Sequence, residues 1–243
     1  RLITGKRQMI LSKPSEELMD KIDELDNRLE AIKTGQVKPD EDNTLNVLTD
    51  GKMAALYGPL RGLPDYKGSK IYNVAEKVHE IWEEYKDKKL TQLVFLDTGT
   101  PKGSSGKIDE DTGERKLTAE EKQYEEEKTA QEMGVYHVIK QKLFSRGVTE
   151  KEIALIHDYP KDDQKQDLFR KMRTGEIRIL IGSTAKMGEG MNVQNKLIAI
   201  HHVDAPWKPA QIEQREGRMI RQGNENEAVH IFTYATERTL DTF

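Results

Sequence analysis

Apolar residues recur along this chain with two different periods. Leu18, Ile22, Leu25, Leu29 and Ile32 are separated by alternating steps of four and three, which places their side chains on one face of a helix. Ser15 stands where an N-cap would accept a free N–H group, and Gly35 where the helix would stop. The pattern predicts an amphipathic helix that packs onto the rest of the domain or pairs as a short coiled coil. A polar turn from Lys38 to Asn43 leads to a short helix expected from Asp50 to Leu60, and a Gly/Pro-rich break follows from Gly62 to Gly68. Ser69 then precedes Ile71, Val74, Val78, Ile81, Trp82 and Tyr85, a second stripe at helical spacing.

Beyond Tyr85 the pattern changes to short apolar runs separated by helical stretches. Leu93 to Leu96, Ile153 to Ile156, Ile177 to Ile181, Leu197 to Ile200 and Val229 to Tyr234 have the unbroken apolar character of strands buried on both faces. Helical spacing lies between them at Val135 to Phe144, Gln164 to Met172 and Ala210 to Arg221. Strands alternating with helices imply right-handed crossovers and an α/β fold with a parallel sheet flanked by helices. Ligands of such sheets sit at the carboxyl ends of the strands. The chain is therefore read as a helical N-terminal extension or linker over 1–68 and an α/β domain over 69–243. Within that domain, 102–127 is Gly/Ser-rich and then dense in Glu and Lys, the character of a mobile surface insertion.

Composition narrows the function classes. Hydrophobic residues make up 35% and charged residues 34% of the 243 residues, so the chain can bury a core but must solvate much of its charge. A net charge of −4 excludes a uniformly basic nucleic-acid coat and leaves room for a local basic face. Cysteine is absent, which removes disulfides, thiolate metal sites and Cys nucleophiles and points to a reducing cytoplasm. No apolar run approaches the roughly 18 residues of a membrane span, and no membrane partner is expected. The start at Arg1, and the stop at Phe243 just after Glu237 to Asp241, read as the ends of an excised piece.

The most informative segment is Gln214-Arg215-Glu216-Gly217-Arg218-Met219-Ile220-Arg221-Gln222-Gly223. On a helix Gln214, Arg218 and Arg221 share a face, and Gly217 lets another backbone approach. Paired guanidiniums suit phosphoryl oxygens, although an arbitrary Arg pair is more simply a solvated face. Upstream, Ile179 to Ile181 run into Gly182-Ser183-Thr184-Ala185-Lys186-Met187-Gly188-Glu189-Gly190-Met191-Asn192. Hydroxyls and backbone N–H groups in a glycine-rich turn at a strand's carboxyl end can hold a phosphodiester. Taken alone, this is also an ordinary strand-to-helix turn.

Together the two segments resemble motifs VI and V of superfamily-two helicases, in the form found in the Swi/Snf-like branch. Gln92 to Asp97 resembles the motif IV strand, Ile156-His157-Asp158 the strand after it, and His202 to Trp207 the approach to motif VI. The likeness covers roughly Ser69 to Thr242. It implies a RecA-like C-terminal helicase lobe, with Arg218 and Arg221 as catalytic arginine fingers. By the same resemblance Gln214, Gly190, Asn192 and Gly217 face the nucleotide, while Ser183, Thr184 and Lys186 follow the DNA backbone. ATP with Mg2+ would be bound mainly by an N-terminal RecA-like lobe outside this chain, and the partner would be double-stranded DNA. A closer similarity, to bacterial and phage proteins that join a methyltransferase-like region to a helicase, implies such a region as a further partner.

Several features point elsewhere. Gly99 to Lys107 looks like a phosphate loop, but six residues separate Gly99 from Gly106 and Ile108 follows Lys107, so the spacing fails. No acidic pair at a strand end is recognisable as a magnesium motif, and the chain alone is expected not to hydrolyse ATP. His201 and His202 are neighbours on a strand and point to opposite faces, so a packed histidine is favoured over a metal ligand. Trp82 and Tyr85 lie on the apolar stripe as core, and Glu120 to Lys128 reads as a solvated charge run. Three alternatives remain open: a non-catalytic RecA-like interaction module docking through 102–127 or the first helix, an RNA helicase lobe, and a doubly wound nucleotide-sugar transferase.

Overall fold

The computed structural model describes residues 4–99, 134–187, 191–204, 209–217 and 222–242. The 102–127 insertion, the phosphate-loop lookalike beyond Gly99, the Glu120 to Lys128 run and the Pro206-Trp207 turn lie outside the described residues. The elements are β1 (Thr4–Ser12), α1 (Glu16–Lys33), α2 (Thr44–Leu56), α3 (Lys70–Glu84), β2 (Thr91–Phe95), α4 (Val135–Phe144), β3 (Ile153–Leu155), α5 (Asp162–Thr174), β4 (Ile179–Gly182), β5 (Leu197–His202), α6 (Pro209–Glu216) and β6 (Ala228–Thr236). The strands form one six-stranded sheet in the order β1-β6-β5-β2-β4-β3, and every pairing is parallel. This is the expected α/β class, a parallel sheet flanked by helices.

Both faces of the sheet are covered, and the two-residue period of the strands decides which residue serves which face. Val94 and Leu96 join Ile179, Ile181, Phe232 and Tyr234 in a cluster with Ile71, Val74 and Val78 of α3 and Ile139 and Leu143 of α4. Leu93 and Phe95 point the other way, into a cluster with Leu180, Ile200 and Ile231 that α5 closes with Leu168, Phe169 and Met172. Unbroken apolar runs are therefore what these strands require. Trp82 and Tyr85 pack partly buried against the first cluster, as their spacing implied.

Helix α1 starts as expected: the Ser15 hydroxyl accepts the Leu18 N–H at 3.2 Å. The second helix does not. It begins at Thr44 rather than near Asp50, because the Asn43 side chain caps it by accepting the Asn46 N–H at 3.0 Å. It ends at Leu56, and Gly58–Arg61 forms a separate 3-10 turn with Pro59 at its start. Strand ends also shift: β3 stops at Leu155 because Ile156–Asp158 turns as a 3-10 helix, and β6 runs through to Thr236.

The N-terminal segment, read from sequence as helical, also contributes a strand. β1 lies in register with β6 from Thr4↔Ala228 to Ser12↔Thr236. It is an edge strand on which Lys6, Arg7, Gln8 and Met9 are exposed, and its short apolar run Met9-Ile10-Leu11 follows three polar residues. Charged and polar residues are what a sheet edge carries to resist pairing with other chains.

Candidate functional site

Three adjacent strands deliver the site. Phe95 of β2 is in register with Gly182 of β4 on one side and His202 of β5 on the other. Asp97, Ser183-Thr184 and Asp204 therefore leave the sheet side by side at its carboxyl edge, where ligands of parallel sheets bind. Gly182 makes the turn possible. A Cβ there would lie 2.5 Å from the Cγ2 of Ile156 and 2.8 Å from the Cγ of Met187, so no side chain fits beneath the turn.

The Asp97 carboxylate organises the turn. Its Oδ1 accepts the Thr184 N–H at 2.6 Å and its Oδ2 the Thr184 hydroxyl at 2.8 Å. Asp204 in turn accepts the backbone N–H groups of Asp97 at 2.9 Å and Thr98 at 2.7 Å. Burial pushes the Asp204 carboxyl upward, against the lowering effect of the Asp97 N–H and of Arg215. The Ser183 hydroxyl accepts the Lys186 N–H at 3.3 Å, which folds the turn back on itself.

Arg215 of α6 enters this junction with no exposed surface. Its Nε donates to the Thr184 hydroxyl at 2.7 Å and its Nη2 to Asp97 Oδ2 at 2.7 Å. Its Nη1 faces His202 Nδ1 at 3.2 Å and the Asp204 carbonyl at 3.3 Å. The guanidinium also lies over the Phe95 ring, 4.9 Å from its centroid. Next along α6, buried Glu216 pairs with both terminal nitrogens of Arg7 on β1, at 2.6 Å for Nη2.

The two histidines at the end of β5 are buried and hydrogen-bonded through ring nitrogens. His201 is held through Nδ1 by the Tyr234 hydroxyl at 2.8 Å and through Nε2 by Gln92 Oε1 at 2.9 Å, and burial lowers its pKa to about 3. Because Arg215 can only donate, His202 Nδ1 is the acceptor and its proton sits on Nε2. That nitrogen is 3.5 Å from Glu216 Oε1, too long for a well-formed hydrogen bond. Burial and, after it, the Arg215 charge lower the His202 pKa to about 4.

The sequence-predicted residues fall into three groups. Ser183 and Thr184 are buried at 9% and 6% exposure, while Lys186 is open to solvent. Thr184 therefore presents a side chain already engaged by Asp97 and Arg215. Asn192 and Gly217 are exposed; the Asn192 carbonyl accepts from Arg173 at 2.9 Å, and the Gly217 N–H continues α6 by donating to Glu213 O at 2.8 Å. Gln214 lies on α6. Gly190, Arg218 and Arg221 lie outside the described residues. Sequence reasoning missed Arg215, Asp97 and Asp204. One signal was present: Asp97 and Asp204 are carboxylates directly after apolar strands, where burial demands a cation.

Residues 118–223 match the family described as Helicase conserved C-terminal domain. An uncharacterized ATP-dependent helicase, YqhH, of Bacillus subtilis (strain 168) is 43% identical over 83 residues, 33% of this chain and 13% of that protein. Defense against restriction protein B of Escherichia phage P1 is 35% identical over 54 residues, 22% of this chain and 2% of that protein. The chain thus matches a small part of the length of each of these relatives. Among solved structures, the C-terminal part of the Fun30 ATPase domain aligns with a TM-score of 0.47 at 17% identity, covering 72% of this chain and 44% of that one. A DUF1998 helicase, MrfA, bound to DNA, aligns at 0.41 and 16% identity, covering 70% and 19%.

Proposed function

We propose that this chain, whose residues 118–223 match the Helicase conserved C-terminal domain, is the second lobe of a superfamily-two, Swi/Snf-like, ATP-driven translocase on double-stranded DNA. In this reading Arg218 and Arg221 complete an ATPase site begun by a first RecA-like lobe, where they balance the charge of the transferring phosphoryl group. Ser183, Thr184 and Lys186 face the DNA backbone, with the Thr184 N–H and hydroxyl held by Asp97 so that this residue shapes the turn. The observation that carries the reading is the single connected junction at the carboxyl edge, in which the Thr184 turn and the α6 helix are joined through Asp97 and Arg215.

The donor set fits a contributor rather than a complete nucleotide site. Exposed Asn192 and Gly217 offer an amide and backbone groups, with Gln214 and Gly190 assigned beside them. Among the described residues no cluster of three or more His, Asp or Glu is placed for a metal ion. In this reading, by the resemblance alone, Mg2+ and the phosphate grip belong to the first lobe. ATP supplies the free energy that drives lobe closure, and this chain's part is to hold positive charge and a backbone grip in fixed relation. A methyltransferase-like region as neighbour and a cytoplasmic setting are part of the same proposal, and its bacterial or phage origin is supported by relatives in Bacillus subtilis and phage P1.

The test is Arg218→Ala in the intact protein. DNA-stimulated ATP turnover is expected to fall by about 10³-fold, with the folded yield unchanged. Turnover near that of the wild type would remove the finger assignment.

A further inference from the structure

Arg215 stands apart from the residues that the motif assigns to nucleotide or DNA. Putting a guanidinium fully inside a protein costs several kcal/mol before any partner is counted, and an apolar side chain of similar volume commonly serves stability as well. Here all three nitrogens are satisfied, by groups on three different strand ends: Asp97 after β2, Thr184 after β4, and His202 with the Asp204 carbonyl at β5. One side chain thereby fixes the position and rotation of α6 against the sheet edge. Lysine could not replace it, since one ammonium cannot reach acceptors laid out for a planar fork.

Thr184 gives the contact a direction. Its hydroxyl donates to Asp97 and accepts from Arg215 Nε at 2.7 Å. The turn assigned to DNA and helix α6, which precedes Gly217 in the chain, therefore share one hydrogen-bonded unit. A displacement of Thr184 must strain the Arg215 contacts or carry α6 with it, because no solvent reaches the guanidinium to replace a lost partner.

We propose that Arg215 is a positioning residue that couples the Thr184 turn to the helix leading into Arg218 and Arg221, so that engagement of DNA at the turn sets the placement of the fingers. The inference rests on the translocase reading above. It assigns to Arg215 and Asp97 the control of DNA-stimulated turnover, and leaves contact with phosphate to the fingers.

The experiment uses the intact protein with Arg215→Lys, Asp97→Asn and, alongside, Arg218→Ala. The readout is the ratio of turnover with saturating duplex DNA to turnover without it, which does not depend on how much of a preparation is folded. In Arg215→Lys and Asp97→Asn that ratio is expected to fall about tenfold, a misplacement of less than an ångström in reacting geometry, with KM for ATP held within about threefold. If Arg215→Lys does not fold, Asp97→Asn carries the test, because the neutral amide keeps the shape and loses the charge. An unchanged ratio in the folded variants, with Arg218→Ala inactive, overturns the coupling role and leaves the finger reading standing. An active Arg218→Ala overturns both.

Discussion

Two arginine-aspartate networks in this molecule are built from the same groups and behave differently. On the surface, Arg28 of α1 pairs with Asp42 at 2.8 Å and Asp50 at 2.8 Å, and Arg61 pairs with Asp50 at 2.8 Å. At the sheet edge, Arg215 pairs with Asp97 at 2.7 Å and lies 3.8 Å from Asp204. The distances hardly differ, but the Arg28 side chain keeps 28% of its surface in contact with solvent and that of Arg215 keeps none. Water replaces a lost partner in the first network and cannot in the second. Geometry alone therefore does not rank ion pairs; access of solvent to the cation does.

The largest expected effect follows directly. Asp97→Ala leaves Arg215 buried with its nearest anion gone and the Asp204 carboxylate 3.8 Å away, too far for a hydrogen bond, and it also removes the two bonds that Thr184 donates to Asp97. Loss of one partner from a buried pair costs about 3–5 kcal/mol. The 30% exposure of the Asp97 side chain places this case at the lower end, about 3 kcal/mol by urea unfolding. A loss below about 1 kcal/mol would mean that the guanidinium finds water, and would put the two networks in one class.

Acid separates the two regions by different groups. In the folded protein His201 has a pKa of about 3 because of burial, against 6.5 for an unburied imidazole. The unfolded chain then binds the extra proton first, so stability is fully present above pH 6.5 and is lost as pH falls towards the folded value. Between pH 7.5 and 5 this histidine alone withdraws about 2 kcal/mol, and His202, lowered to about 4 by burial and Arg215, adds in the same direction. Asp42, held low by its hydrogen bond to Arg28, keeps its contribution above the ordinary carboxylate range and loses it only as pH falls through that range towards its lower folded value. The measurement is unfolding free energy against pH, in wild type and His201→Gln. The variant should be less stable and show a flatter slope between pH 7 and 5; an unchanged slope would reassign the acid sensitivity.

The contrast also explains what the sequence made legible. Inner strands β2, β4 and β5 and helices α1 and α3 are announced by period and caps, because each buries a face that must be apolar. β1 was not, since an edge strand with Lys6, Arg7 and Gln8 exposed obeys solvent as much as the sheet. The start of α2 was missed because its signal is one side chain, Asn43, inside a polar run. The proposed site residues Ser183, Thr184, Gln214, Arg218 and Arg221 are visible as spacing within two short strings. The partnership of Arg215 with Asp97 joins residues 118 positions apart, and no local period encodes it. Arg215 also falls off the face that helical spacing predicts for Gln214, Arg218 and Arg221, so that spacing gives it no prominence.

The smallest effect is expected in the surface network. Arg28→Ala removes two ion pairs, yet Asp42 and Asp50 regain water, and Asp50 retains Arg61. Exposed pairs contribute about 0.2–1 kcal/mol, so the loss should stay under about 1 kcal/mol even though two carboxylates are released. Salt gives an independent check. At about 1 M ionic strength the screening length is about 3 Å, so most of the Arg28 contribution should vanish and wild type and Arg28→Ala should converge. The deficit of Asp97→Ala should persist at the same salt, because ions do not enter the space around Arg215. Convergence of both pairs of proteins at high salt would show that solvent reaches the buried guanidinium, and the distinction between the networks would fail at its premise.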